Sequence, residues 1–301
     1  MNLTVLGSQG AIPKKGMYST CFLLNIAKTN VLIDCCEGVQ FQLRKNKIKF
    51  SRIDIILISH AHGDHYFGLI GLISTMSLLR REKKLSVYCP TSVLKIIQAH
   101  IKFSKMKLSY ELELHGLTKN KSVNVFENDY FNILTIPLNH SIYTNGFLFK
   151  EKPKKRKLIL ESALENDIDK IYFNKLTKGY NVKNRKGVEI SFLKVTKDGD
   201  KPKSFAYCSD TAYSDKIIDY IQNVDLLYCE TTYLSNDQDK AIKTLHSTTI
   251  DAGTLAIKSN VGKLLIGHFS SRYENNDLFY KEAHSIFPNV ILSEEGKKID
   301  I

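Results

Sequence analysis

Four side chains of the kinds that bind metal ions fall within six residues, in the run His60-Ala-His62-Gly-Asp64-His65. The apolar, β-branched segment at residues 53–59 predicts a buried strand that ends at this run. Two imidazoles two residues apart can face one ion, and Asp64 with His65 can serve a second, as in hydrolytic sites with metals about 3.5–4 Å apart. A polar surface loop explains a lone histidine well, but three of the nine histidines lie here. The run predicts a two-metal site, and therefore a fold in which several strand ends meet.

The order of apolar runs predicts an α/β fold. The first 60 residues alternate short apolar runs with turns and predict a meander of strands. Predicted strands lie at residues 3–6, 21–24, 31–34, 53–59, 85–88, 110–114, 123–126, 131–137, 205–208, 226–229 and 263–266. Predicted helices lie at residues 67–79, 92–100, 215–222, 248–258 and 277–287. Strands first, then mixed strands and helices, predict a layered α/β sandwich.

The chain length allows one large domain or two, and we expect a single domain over residues 1–301. Composition changes between about residues 150 and 200, where Glu151-Lys-Pro-Lys-Lys-Arg-Lys157 carries five basic residues in seven. We interpret this stretch as an inserted basic arm, because excursions of this kind often carry function. A solvated loop that happens to be basic is the alternative.

The net charge and the cysteine content indicate which kind of partner and which cellular compartment to expect. A formal net charge of +12, from 43 basic and 31 acidic residues, makes a polyanion a candidate partner, although many basic proteins bind none. The six cysteines show no paired spacing and mostly interrupt apolar runs, which predicts buried free thiols. Together with an N-terminus that lacks a secretory pattern, this predicts a cytoplasmic protein. No stretch approaches 18 apolar residues, so no membrane span is expected.

Three further strands end in a metal-ligand residue. The run at residues 133–140 ends in His140, the run at 205–210 ends in Asp210, and the run at 263–268 ends in His268. Each alone is better explained as a capping or buried polar residue. Open α/β folds place their sites at the carboxyl edge of a sheet, however, and together with the first motif these residues complete seven ligands for two ions.

With these seven candidate ligand residues, the chain resembles the metallo-β-lactamase superfamily and, within it, the ribonuclease Z family. The resemblance runs nearly end to end. Beyond the histidine motif it is carried by Leu6-Gly-Ser-Gln-Gly-Ala-Ile-Pro13, Ile33-Asp-Cys-Cys-Glu-Gly-Val-Gln40, Phe67-Gly-Leu-Ile-Gly71, Ser209-Asp-Thr211, Glu230-Thr, His246-Ser-Thr248 and Gly267-His-Phe-Ser-Ser-Arg-Tyr273.

The resemblance implies an αββα sandwich and an endoribonuclease that removes the 3′ trailer of transfer RNA precursors, leaving a 3′ hydroxyl on the tRNA and a 5′ phosphate on the trailer. It implies two zinc ions per subunit. One would be held by His60, His62 and His140, the other by Asp64, His65 and His268, with Asp210 bridging them. The nitrogen and oxygen donors suit zinc and also admit manganese.

The resemblance also implies roles in proton transfer. Asp64 is expected to accept a proton during attack on the phosphate. His246 is our candidate donor to the leaving 3′ oxygen, oriented and kept charged by Glu230, and a structural histidine is its alternative. Residues Ser270, Ser271 and Arg272 follow His268 and are expected either to contact phosphate or to cap a helix.

In the family the arm of one subunit serves the active site of the other, so we expect a homodimer. The family arm usually carries a Gly-Pro element, which the aligned region at residues 168–179 lacks. The lysines and Arg156 of the arm can still bind along the phosphate backbone of an RNA.

Two other functions are consistent with the residues. The same site could hydrolyse a small phosphodiester such as a cyclic nucleotide, without the arm. An RNA-binding protein with an inactive site is a further possibility, but the presence of all seven ligands argues against it.

Overall fold

Two seven-stranded sheets lie face to face in the computed structural model, which describes residues 1–118 and 120–301. The chain forms two compact units. The sandwich unit comprises Met1–Glu127, Phe131–Lys150 and Lys203–Ile301. The arm unit comprises Asn128–Tyr130 and Glu151–Pro202.

The elements are numbered in chain order. The strands are β1 (Asn2–Gly7), β2 (Cys21–Ile26), β3 (Thr29–Ile33), β4 (Ile55–Leu57), β5 (Leu85–Pro90), β6 (Leu112–Leu117), β7 (Asn124–Glu127), β8 (Phe131–Pro137), β9 (Asn145–Glu151), β10 (Lys157–Leu158), β11 (Val182–Lys183), β12 (Glu189–Ile190), β13 (Thr196–Lys197), β14 (Ser204–Cys208), β15 (Leu226–Glu230), β16 (Lys263–Gly267), β17 (Val290–Leu292) and β18 (Lys298–Asp300). The helices are α1 (Val39–Lys45), α2 (Gly63–Leu78), α3 (Thr91–Phe103), α4 (Leu160–Glu165), α5 (Phe173–Thr177), α6 (Phe192–Val195), α7 (Ile218–Ile221), α8 (Gln238–Thr244), α9 (Thr249–Lys258) and α10 (Asp277–Ile286). Short 3₁₀ turns lie at Phe50–Arg52, Lys170–Tyr172, Asp215–Ile217 and Ser235–Asp237.

Each large sheet contains a block of parallel strands. The first sheet has the order β18-β1-β2-β3-β4-β5-β6, and the second has the order β17-β16-β15-β14-β9-β8-β7. Strands β3 to β6 are parallel to one another, as are β14 to β17. The carboxyl ends of the parallel strands in a block share one edge, so the residues that follow them are brought together.

Successive side chains along the strands point to opposite faces of each sheet. The sandwich unit therefore has three apolar layers, one between the sheets and one on the outer face of each sheet. Val31 and Ile33 of β3 face the core between the sheets, whereas Leu32 between them faces α1, α2 and α3. In the second sheet Phe205 joins the central core and Ala206 faces the outer layer formed with α7, α9 and α10. Both faces of these strands are buried, which explains their continuous apolar runs. The layers are therefore αββα, as the sequence predicted.

The first metal-ligand motif differs locally from the prediction. Strand β4 spans only Ile55–Leu57, and α2 begins at Gly63 rather than at residue 67. The backbone N–H of His65 donates to the His62 carbonyl at 3.1 Å, which starts the helix within the motif. Asp64 and His65 therefore lie on the first helical turn, and only the residues before Gly63 are extended or looped.

Other predicted elements also change. The predicted four-strand meander ends after β3, because the unpredicted helix α1 carries the chain across to a β4 that is parallel to β3. The predicted helix at residues 215–222 is a 3₁₀ turn followed by the short α7. Strands β9, β17 and β18 were also not predicted, because their pairing partners are distant in sequence.

The arm unit has a small core of its own. Two two-stranded ladders, β10 with β13 and β11 with β12, accompany α4, α5 and α6. Its buried apolar residues are Ala163, Ile168, Leu176, Val182, Ile190 and Val195. That residues 1–301 form one domain with an inserted arm at about 150–200 stays a prediction.

All six cysteines are buried and free, as the sequence predicted. Within residues 1–118 and 120–301, no helix combines the length and the apolar character that a membrane crossing requires.

The central core should dominate the stability of the sandwich unit. Phe147 of β9 is fully buried between the sheets. We expect Phe147→Ala to lower the free energy of unfolding by about 3–5 kcal/mol, because it removes aromatic burial and leaves a cavity. Urea unfolding followed by circular dichroism measures this loss. Phe103→Ala is the matched control, because that side chain is 80% exposed, and it should change the value by less than about 0.5 kcal/mol. Equal effects of both variants would contradict the assigned core.

Candidate metal centre and active site

The structure brings all seven predicted ligands together at the carboxyl edge of the parallel strands. They form two groups, within each of which the ligand atoms lie within 4.8 Å of one another. The first group, group A, is His60, His62, His140 and Asp210. The second group, group B, is Asp64, His65 and His268. Their assignment as metal ligands stays a prediction.

Asp210 belongs to group A, but its carboxylate also faces the imidazoles of group B. Its Oδ2 atom is 3.6 Å from His60 Nε2 and 3.9 Å from His140 Nε2. Its Oδ1 atom is 3.4 Å from the Nε2 atoms of both His65 and His268. Each carboxylate oxygen thus faces a different group of imidazoles, which is the placement that a bridging ligand requires.

Group B is completed by Asp64, at the start of α2. Its Oδ2 atom is 3.2 Å from His65 Nε2 and 3.5 Å from His268 Nε2. Both Asp64 and His65 lie in the first turn of α2, so the start of the helix at Gly63 fixes the backbone of two proposed ligands.

Four of the five imidazoles are oriented through Nδ1. His65 Nδ1 is 2.7 Å from Asp34 Oδ2, and His60 Nδ1 is 2.9 Å from Ser59 Oγ. The other two contacts join His140 Nδ1 to the Leu245 carbonyl at 2.9 Å and His268 Nδ1 to Thr232 Oγ1 at 2.8 Å. Partners on Nδ1 leave Nε2 free to bind a metal. His62 is reversed, with its Nδ1 atom 3.0 Å from His60 Nε2.

Asp34, in the motif at residues 33–40, is the centre of a buried network that the sequence does not predict. Its Oδ2 atom accepts hydrogen bonds from the Tyr207 hydroxyl at 2.6 Å and from Ser59 Oγ at 2.9 Å, in addition to His65. Its Oδ1 atom accepts from the Ser59 backbone N–H at 2.7 Å. Its position after the apolar run of β3 resembles that of Asp210 after β14, which is the signal that could have identified it.

Buried atoms without partners show that the site suits a cation. Among the described residues, Asp64 Oδ2, His65 Nε2, Asp210 Oδ1 and His268 Nε2 are buried and have no hydrogen-bond partner. Leaving such groups unpaired in a protein interior is unfavourable unless a ligand satisfies them. All four face the centre of group B or the space beside Asp210, where an ion would use them.

Burial favours the neutral, metal-binding form of the group A histidines. Burial lowers the pKa of His60 well below its usual value, and it also lowers the pKa values of His62 and His140. A neutral imidazole keeps the lone pair that binds a metal. Burial alone would raise the pKa of Asp210, but the imidazoles of His268 and His65 outweigh it and hold that pKa well below its usual range.

His246 and Glu230 form a hydrogen-bonded pair beside the ligands. His246 Nδ1 is 2.8 Å from Glu230 Oε1, and Glu230 is fully buried at the end of β15. Burial opposes the charged imidazolium, but the Glu230 carboxylate prevails and raises the pKa of His246 to about 9. The His246 ring stacks on that of His268, with ring centroids 5.4 Å apart.

Thr232 connects this pair to the metal ligands and was not identified from the sequence. Its hydroxyl donates to Glu230 Oε2 at 2.7 Å. Having given its only hydrogen to the carboxylate, the hydroxyl oxygen accepts from His268 Nδ1, and it also lies 3.1 Å from His246 Nδ1. This arrangement fixes the tautomer of His268 that leaves Nε2 free for a metal.

The ligands open into a cavity of about 490 Å³ that also contains His246. Ser270, Ser271 and Arg272 line it, and the Arg272 guanidinium lies over the Tyr233 ring, 5.3 Å from the ring centroid. Of the two roles considered for these three residues, capping does not apply, because the next helix, α10, begins only at Asp277.

Comparisons with known proteins extend these observations to the whole chain. Ribonuclease Z of Cytophaga hutchinsonii is 41% identical over 295 residues, covering 98% of this chain and 94% of the relative. Ribonuclease Z of Bacteroides fragilis is 36% identical over 299 residues, covering 99% of this chain and 98% of the relative. The chain belongs to the ribonuclease Z family. It is a metal-dependent, phosphodiester-hydrolysing endoribonuclease, as the sequence predicted.

Two further comparisons concern the fold and a second family. The crystal structure of the short form of human tRNase Z superposes with a TM-score of 0.74 at 24% identity, covering 100% of this chain and 99% of that one, which agrees with the metallo-β-lactamase fold. Residues 1–247 match the family model described as anti-Pycsar protein Apyc1, and the chain belongs to that family as well.

The contacts of Asp34 should decide how well the site binds metal. We expect Asp34→Asn to weaken metal binding about 10- to 100-fold, because an amide replaces the carboxylate that orients His65. Atomic emission after dialysis against a series of buffered zinc concentrations measures the change. Asp219→Asn, at an exposed position of α7, is the control and should bind like the wild type. Unchanged zinc binding by a folded Asp34→Asn variant would refute the role.

Proposed function

We propose that this member of the ribonuclease Z family removes the 3′ trailer from tRNA precursors, leaving a 3′ hydroxyl on the tRNA and a 5′ phosphate on the trailer. The observation that carries the proposal is the His246–Glu230 pair beside two groups of metal-ligand side chains. A phosphodiester cleaved between them would find groups for accepting and for donating a proton. Full-length likeness to proteins named ribonuclease Z supports the choice of RNA as substrate.

The groups would hold two zinc ions per subunit, with manganese as an alternative. Group A would supply His60, His62 and His140, group B would supply Asp64, His65 and His268, and Asp210 would serve both. Such ions lower the pKa of a water molecule and offset the charge that develops on an attacked phosphate. The all-nitrogen and oxygen donor set and the unpartnered atoms of group B agree with this assignment.

Asp64 is proposed as the proton acceptor during attack on the phosphate. Burial alone would raise its pKa, but the imidazoles of His65 and His268 hold the pKa well below its usual range, so the carboxylate is ionised. Its carboxylate lines the cavity, so the oxygen that a metal ion does not take could receive a proton from an attacking water.

His246 is proposed as the donor to the leaving 3′ oxygen. Glu230 accepts a hydrogen bond from His246 Nδ1, which leaves Nε2 as the position that can give a proton to the substrate. The backbone N–H groups of Thr211 and Ser247 also donate to Glu230 Oε1, at 3.1 and 3.0 Å, and hold the carboxylate in place. The pair can therefore keep the imidazole protonated and aimed before the bond breaks.

The arm unit is proposed to contact the tRNA backbone. Several of its cations are already paired within the unit: Lys154 with Glu151 at 3.1 Å, Lys157 with Asp200 at 2.5 Å, and Arg156 with Asp198. The Lys157–Asp200 pair is exposed on both sides and is therefore weak, so RNA phosphates can compete for Lys157, and binding should depend strongly on salt. Residues 168–179 lack the Gly-Pro element that the family arm usually carries, so the proposed RNA contacts rest on the basic side chains of the arm.

We further propose a homodimer in which the arm of one subunit serves the site of the other, and a cytoplasmic location. The dimer rests on the likeness to the family. The location rests on the six buried free thiols, which suit a reducing compartment.

Hydrolysis of a small phosphodiester is the second candidate function. It is supported by the match of residues 1–247 to a second family, which is described as anti-Pycsar protein Apyc1. The arm would then have no part in catalysis.

The proposed function predicts one cut in a tRNA precursor. Purified protein incubated with a precursor that carries a 3′ trailer should cut once near the discriminator base, and mapping of the new ends should show a 3′ hydroxyl on the tRNA. Asp210→Ala should abolish the cut, because Asp210 lies between both ligand groups. An intact precursor together with hydrolysis of a cyclic nucleotide would reject the proposal in favour of the second candidate.

The donor role predicts a separation of turnover from metal content. We expect His246→Ala to lower kcat about 10²- to 10⁴-fold, because the leaving oxygen loses its proton source, while zinc content stays that of the wild type. Single-turnover cleavage and atomic emission measure the two quantities. His100→Ala, at an exposed position of α3, is the control. Zinc loss in His246→Ala would show that this residue supports the metal centre instead.

A further inference from the structure

An apolar pocket of about 330 Å³ adjoins the metal centre. Asp64 and Ala11 line both this pocket and the active-site cavity, so the two spaces meet at a predicted metal ligand. The rest of its lining includes the side chains of Met17, Tyr18, Glu37, Phe41 and Phe67. Neither the ligands nor the His246–Glu230 pair requires such a surface.

Two phenylalanine side chains of this pocket are largely exposed to solvent. Phe41 is 71% exposed and Phe67 is 62% exposed. The Phe67 ring lies against the backbone of Gly63, where a Cβ atom would be only 2.3 Å from ring carbons. Tyr66 contacts the same ring edge to face, with centroids 5.1 Å apart. Glycine at position 63 therefore lets an aromatic ring lie beside the metal-ligand motif, and Tyr66 braces it there.

The charge and size of the pocket restrict what it can hold. Its described lining includes the carboxylates of Glu37 and Asp64 and contains no lysine, arginine or histidine, so it disfavours a phosphate. Its volume is at the lower end of pockets that take small flat ligands. A stable contact with a second copy of the chain would need about 800 Å² from each partner, which is far more than this pocket offers. An uncharged planar group fits best.

We propose that this pocket, the Phe41–Phe67 slot, takes a nucleobase that adjoins the scissile phosphate and stacks it on the Phe67 ring. The inference rests on the proposed function, since a phosphate held beside Asp64 places its neighbouring base next to the slot. Stacking on an aromatic ring accepts every base, which suits an enzyme that must process precursors of varied sequence. Phe67 and Phe41 are then substrate-binding residues that align the phosphate with the metal centre.

The slot is tested with Phe67→Ala on precursors that carry either a normal or an abasic nucleotide on one side of the cleavage site or on the other. With the normal precursor, kcat/KM should fall about 5- to 150-fold in Phe67→Ala, the range for loss of one stacked base. An abasic nucleotide at the position whose base enters the slot should lower kcat/KM of the wild type to a similar extent. Combining this precursor with Phe67→Ala should cause no further loss, because both changes remove the same stacking contact. Phe67→Tyr should retain activity. Phe103→Ala removes another exposed ring, at the end of α3 and outside the slot, and should have no effect.

Several results would overturn the slot. Equal losses for Phe67→Ala on normal and abasic precursors on both sides would show that no base is stacked there. A lower oligomeric mass of Phe67→Ala in light scattering would show that the ring contacts a second copy of the chain instead. If the wild type cuts no precursor, the proposed function fails, and the slot is judged by quenching of 2-aminopurine in a single-stranded RNA. Quenching by the wild type but not by Phe67→Ala supports the slot, and absent quenching rejects it.

Discussion

The burial of carboxylates and imidazoles at one shared edge of two sheets is the constraint on which this structure depends. Asp210 lies among four imidazoles, and its oxygens face both ligand groups at 3.4 to 3.9 Å. Charges and lone pairs placed this way are unfavourable in a protein interior unless cations and further hydrogen bonds satisfy them. The rest of the sandwich unit supplies many of those hydrogen bonds, and the unpartnered atoms that remain lie where we propose that cations bind.

Left-handed backbone at two strand ends places one proposed ligand, His268, and one residue that orients a ligand, Asp34. These two residues have φ of 64° and 57°, and each directly follows a strand. Residues with a Cβ atom adopt this conformation at a cost of order 1–3 kcal/mol, so the surrounding contacts must hold them there. Asp34 is held by Tyr207 and Ser59, and His268 is held by Thr232 and by a backbone hydrogen bond from its N–H to the Ser8 carbonyl at 2.7 Å. A turn of this kind at a strand end lets a side chain point into the cavity rather than continue the pleat.

The contacts of Thr232 would join the proposed metal binding to the proposed proton transfer. Its hydroxyl contacts both the Glu230 carboxylate, which raises the pKa of His246, and the imidazole of the proposed ligand His268. A change at the metal centre is therefore felt by the proposed proton donor through two hydrogen bonds. The slot beside Asp64 would add a third requirement, the position of the substrate, to the same small region.

The sequence by itself determined the features that depend on local order. The spacing of His60, His62, Asp64 and His65, and the strand ends at Asp210 and His268, were sufficient to predict a two-metal site in an α/β sandwich. Tertiary structure alone decided which atoms orient these ligands. Asp34 meets Tyr207 across 173 positions, and His140 meets the Leu245 carbonyl across 105, contacts that no local periodicity encodes. The start of α2 at Gly63 and the exposed ring of Phe67 likewise depend on how the helix packs beside the motif. Local spacing specifies which groups can bind a metal, whereas their orientation comes from residues that only folding brings into contact.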